Sequence, residues 1–124
     1  MAILDEVLAD IMLGLKSDLK EVGLSRQRGG IARGVAWAEA SGRAADGAWL
    51  ELRLHHRPTD RRLQAGLLAY LPMARGGRTA VIGECSLNYR EAPQEVAHHM
   101  ADDVAAWLHQ IIQEARNLPI AAAS

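Results

Sequence analysis

The stretch "AWLELRLHHRPTDRRLQAGLLAYLP", residues 48–72, decides the fold. Over 48–57 the residues alternate: Leu50, Leu52 and Leu54 point one way, and Trp49, Glu51, Arg53 and His55 the other. That is the period of a half-buried strand. "PTDR", 58–61, has the composition of a turn. Residues 62–72 alternate again, with Leu63, Ala65, Leu67, Ala69 and Leu71 sharing a face. A helix competes for this segment, but the period-2 match is complete and Gly66 weakens a helix. Two alternating runs joined by a short turn pair antiparallel.

The same reading extends in both directions. "MARGG", 73–77, turns the chain, and "RTAVIGECSLNYR", 78–90, places Val81, Gly83, Cys85, Leu87 and Tyr89 on one face. Upstream, "VAWAEA", 35–40, reads as a short strand, because Gly34 and "SGRAADG" bracket it too closely for a stable helix. "SRQRGGIARG", 25–34, has no periodicity and three glycines, which predicts a loop.

Helices close the two ends. Ile3, Leu4, Val7, Leu8, Ile11, Leu15, Leu19 and Val22 recur at helical spacing, predicting an amphipathic helix over 3–22. Asp5 and Glu6 suit its positive end, Lys16 and Lys20 its negative end, and Gly23 its C-terminal cap. Pro93 opens a second helix with the stripe Ala97, Met100, Val104, Trp107, Leu108, Ile111, Ala115 and Leu118. Pro119 ends it, leaving 119–124 as a frayed tail. The expectation is one α+β domain over 1–118, ordered α-β-β-β-β-α. Its four-stranded antiparallel meander forms one layer of two, with both helices packed on the leucine face.

Composition narrows the function. The net charge is −1, so the whole chain has no pull toward nucleic acid or anionic membrane. Cys85 is the only cysteine, which excludes an internal disulfide and a multi-cysteine zinc site. No apolar run is long enough to span a bilayer, and "MAILDEVLAD" carries acids where a signal peptide needs positive charge. A bacterial-type cytoplasmic protein is the expectation, with no membrane partner.

Two histidine doublets invite a site, "LHHR" at 54–57 and "AHHMADD" at 97–103. On the second helix His98 reaches Asp102 and His99 reaches Asp103, all on the polar side. His109 lies on the flank of Asp102 but roughly 10 Å along the axis, outside the same metal sphere. Adjacent strand residues face opposite ways, so His55 and His56 do not share a ligand. No metal ligand set, cofactor motif or catalytic residue emerges. Cys85 has core parity and reads as an inert thiol.

The meander gathers arginines. The end carrying the 58–61 turn is expected to collect Arg26, Arg28, Arg33, Arg57, Arg61, Arg62 and Arg90, with His98 near the second helix start. Arginine forks and helix N–H groups are what a phosphate, carboxylate or nucleic-acid ligand needs. The sheet face away from the leucines carries Trp49, Arg53, Leu68, Tyr70 and Ile82. It is too apolar for a wet surface and too polar for a core, which points to a protein partner, first a second copy.

No motif identifies a family. The layout alone resembles small bacterial partner-binding proteins such as type III secretion chaperones, with a leading helix, an antiparallel sheet and a long closing helix. It departs from them in lacking a helix between the strands. Layout alone does not carry function; the expectation, which rests on the half-apolar sheet face, is a non-catalytic dimeric protein that binds another protein, of the chaperone, immunity or adaptor kind. An anion- or nucleic-acid-binding module is the alternative, and a histidine-based hydrolase or metal enzyme the third.

Overall fold

A computed structural model describes residues 5–43, 49–73 and 76–116. Ile3, Leu4, Leu118, Pro119 and the 119–124 tail expected from sequence lie outside the described residues.

The leading helix is α1, Glu6–Gly14, continued by α2, Lys16–Glu21. Asp5 caps α1: its carboxylate accepts the Leu8 N–H at 2.9 Å, satisfying one of the donors a helix start leaves open. The apolar stripe buries Val7, Leu8, Ile11, Met12, Leu15 and Leu19. One helix was expected over 3–22, and the interruption at Leu15 (φ −87°, ψ −3°) follows Gly14. A Cβ on Gly14 would stand 2.8 Å from that of Ala101, so the helices cross where only glycine fits, and glycine weakens the helix there. Gly23 ends α2 with φ +87°, as the sequence implied.

The sheet is an antiparallel meander of five strands in chain order, not four: β1 Arg26–Ala32, β2 Val35–Arg43, β3 Trp49–Arg57, β4 Arg62–Met73 and β5 Gly76–Asn88. The loop expected at 25–34 is for the most part strand β1, turned into β2 at Arg33 (φ 52°) and Gly34. Its alternation is hidden because an edge strand at the sheet margin has exposed residues on both sides and glycine at its centre. The strand expected at 35–40 runs on to Arg43. There Gly42 lies against the Gly23 carbonyl so closely that a Cβ would fall 1.8 Å from the oxygen.

The leucine face is the core face. Ala36, Ala38, Ala40, Leu52, Leu54, Leu63, Ala65 and Leu67 are buried with the α1 stripe. The closing helix α3, Pro93–Arg116, adds Val96, Met100, Ala101, Val104, Leu108 and Ile112 to the same cluster. In β5 the register slips at Leu67/Leu68, where Leu67 pairs with Gly83 but Leu68 with Val81. This bulge inverts the alternation beyond it. Val81, expected inside, is 59% exposed, and Ile82, expected on the outer face, packs partly buried against the core. No described helix is long and apolar enough to cross a membrane.

Candidate functional site

The strand parity of Leu50, Leu52 and Leu54 continues one step further, and it carries His56 into the core, where it is 2% exposed. Its Nδ1 lies 3.1 Å from Asp5 Oδ2, and its Nε2 lies 2.6 Å from the hydroxyl of Tyr89, itself 7% exposed. Asp5 offers only acceptors, so Nδ1 carries a proton and donates; in the neutral ring Nε2 then accepts from the phenol. The two rings stack at 5.8 Å. Burial, then the charge of Asp5, pushes the Tyr89 phenol up, against a smaller opposing effect of Arg61. Each partner is anchored: Asp5 by capping α1, Tyr89 by donating its backbone N–H to the Arg61 carbonyl at 3.0 Å. Asp5, His56 and Tyr89 thus tie α1, β3 and the end of β5 together. Among the described residues no buried side-chain polar atom lacks a partner. An Asp–His–hydroxyl line has the form of an acid–base relay, but here both ring nitrogens of the buried His56 are held by Asp5 and Tyr89.

Among the described residues no helix packs on the opposite face of the sheet. Cross-strand register lines up Arg28, Glu39 and Arg53 across β1, β2 and β3. Arg28 reaches Glu39 at 2.7 Å, Glu39 reaches Arg53 at 3.7 Å, and Arg53 reaches Glu51 at 3.0 Å. The Arg28 guanidinium also stands 5.7 Å from the Trp37 ring centroid, within cation–π range. Apolar groups flank this ladder: Trp37 beside His55, Trp49 opposite Tyr70, and Leu68 opposite Val81. Tyr70 is 44% exposed. Trp49, Arg53, Leu68 and Tyr70 therefore share this face, joined by Trp37 and Val81, while Ile82 does not belong to it.

The arginines expected at one end are divided. Arg33, Arg57, Arg61, Arg62 and Arg90 sit at the end where β3 passes into the 3-10 turn Pro58–Asp60. Strand β1 carries Arg28 to the middle of the sheet and Arg26 beyond it, opposite Ser41. Arg61 is engaged with the Arg90 carbonyl, and Arg62 lies 3.8 Å from Asp60. Arg57 stands directly opposite Arg62 on one face. Glu91 is held below the usual carboxylate range, first by backbone N–H groups of its own residue and of Arg90. His98 and His99 are exposed on α3, as are Asp102 and Asp103.

A third cluster joins α2 to α3. Asp18, Glu21 and His109 each bring one ligand atom within 4.8 Å of the others, and His109 Nε2 lies 2.6 Å from Asp18 Oδ1. Sequence reasoning missed it because 91 positions separate Asp18 from His109. The signal available was only that Asp18 and Glu21 share a helix face. Cys85 is half-buried, and burial pushes its thiol up.

Compared with models of known protein families, with curated proteins and with solved structures, the chain matches none.

Proposed function

We propose that this chain is a non-catalytic, protein-binding domain that works as a homodimer, its helix-free sheet face closing on the same face of a second copy. The observation that carries this reading is the pattern on that face, with Trp37, Trp49, Leu68, Tyr70 and Val81 around an Arg28–Glu39–Arg53–Glu51 ladder. Alternating charges are self-complementary, since a two-fold rotation sets arginines over glutamates. Apolar and aromatic groups supply the desolvated centre such a contact needs. A sheet-on-sheet pairing also covers the one layer the helices leave open.

Sedimentation velocity at micromolar concentration tests it. The wild type sediments as a dimer, and Tyr70→Glu/Val81→Glu as a monomer with an unchanged far-ultraviolet circular dichroism spectrum. A monomeric wild type, or a variant that stays dimeric, rejects the reading.

One observation favours a second reading, an anion site at the 3-10 turn. Arg57 and Arg62 face each other across β3 and β4, with Asp60 3.8 Å from Arg62 alone; like charges directly opposite destabilise a sheet, and a bound anion between them would offset both. Polyphosphate or RNA titrations at low salt check it. Binding that Arg57→Ala/Arg62→Ala abolishes supports it, and an unaffected titration removes it.

A further inference from the structure

We infer that Asp18, Glu21 and His109 form a site for a divalent transition metal that clamps α2 to α3. The donor set is one imidazole nitrogen and two carboxylate oxygens, suited to zinc and its neighbours rather than to calcium or magnesium, which take oxygen ligands alone. Asp18 and Glu21 stand three residues apart on α2, and His109 faces them from α3, with all three ligand atoms within 4.8 Å of one another. Metal bonds of about 2.0–2.2 Å leave neighbouring ligand atoms roughly 3–3.6 Å apart, within reach of side-chain rotation alone. Asp18 and His109 are already seated, 2.6 Å apart and half-buried, while exposed Glu21 is free to swing in.

Electrostatics points the same way. Two carboxylates converge on one imidazole, so a neutral ring offsets neither charge and a protonated one offsets a single charge. A divalent cation offsets both. Three protein ligands leave a fourth position open, as in zinc sites that hold a water or an exogenous ligand. The mechanical consequence is local. Among its residues α2 buries only Leu19, so a metal bond to α3 is a large addition to what holds that turn.

Zinc chloride and cobalt(II) chloride added to the chelator-treated full chain test this. One equivalent of zinc binds by calorimetry, cobalt(II) gives the visible absorption of a low-coordinate site, and the melting temperature rises roughly 10 °C at 100-fold over Kd. Binding weakens at least tenfold in His109→Ala and in Asp18→Asn, and measurably in the exposed variant Glu21→Gln. His98→Ala/His99→Ala binds as wild type. Circular dichroism establishes that each variant is folded, and Glu21→Gln, which removes no buried atom, serves where another fails. Absence of zinc binding, binding indifferent to His109, or binding lost with the His98/His99 pair overturns the site. Because these three ligands lie off the open sheet face, the dimer and the metal stand or fall separately.

Discussion

Removing one oxygen, in Tyr89→Phe, measures what the buried Asp5–His56–Tyr89 line contributes. The substitution keeps the ring and opens no cavity, so only the hydroxyl that meets His56 Nε2 at 2.6 Å is lost. With His56 2% exposed, water does not replace it. The imidazole nitrogen is then a buried acceptor without a donor, which costs about 1–3 kcal/mol. For a chain of this length that lowers the melting temperature by roughly 4 °C per kcal/mol. Urea denaturation followed by circular dichroism reads the effect as a lower midpoint at constant slope. The double variant His56→Leu/Tyr89→Phe supplies the control. Once the imidazole is gone the hydroxyl has no partner, so adding Tyr89→Phe to His56→Leu costs less than it does alone. A coupling of about 1 kcal/mol or more is expected. A single-variant loss below about 0.5 kcal/mol, or two losses that add, refutes the reasoning.

Four further outcomes follow from the same structure. Gly42→Ala drives a Cβ to 1.8 Å from the Gly23 carbonyl oxygen and destabilises by about 1–3 kcal/mol or more. Gly66→Ala, whose nearest atoms are 3.9 Å away, stays near wild type in the same urea assay. Because burial raises the Tyr89 phenol in the folded state, the unfolded chain loses its proton first as pH climbs past about 10. Stability is therefore intact below that pH and falls above it. Alkaline absorbance titration shows one late-ionising tyrosine, absent in Tyr89→Phe. The Cys85 thiol, pushed up by burial, reacts with a disulfide reagent more slowly than the same thiol in the urea-unfolded chain; equal rates count against it.

Much of the fold was legible because single-face burial writes itself into spacing. Leu50, Leu52 and Leu54, or Met100, Val104 and Leu108, each repeat the period of their element. Strand β1 was not legible: it lies at the sheet edge, where Arg26, Gln27 and Arg28 are all exposed. Gly30 also sits under the Trp37 indole, where a Cβ would be 3.1 Å from the ring, so packing removed the side chain that alternation needs. The exchange of Val81 and Ile82 arises from a bulge, and a bulge is a property of two strands together. The open face was legible through Trp49, Leu68 and Tyr70, whose strands β3 and β4 do not carry the extra residue of the bulge. The His56 and His109 sites draw partners from 51 and 91 positions away, which no local period records. For His56 the parity of its strand was an unused clue.

A sheet whose strands neighbour each other in chain order assembles hairpin by hairpin, each step closing a short loop. The two terminal helices are different, since α1 packs against α3 across a loop that spans the whole sheet, the longest closure among these elements. Their docking, and with it the meeting of Asp5 with His56, is therefore expected to come late in folding. Tyr89→Phe should accordingly leave the refolding rate almost unchanged and act on the unfolding rate. The line that joins the two layers is in that sense a latch on the native state, setting how long the molecule stays folded rather than how fast it gets there.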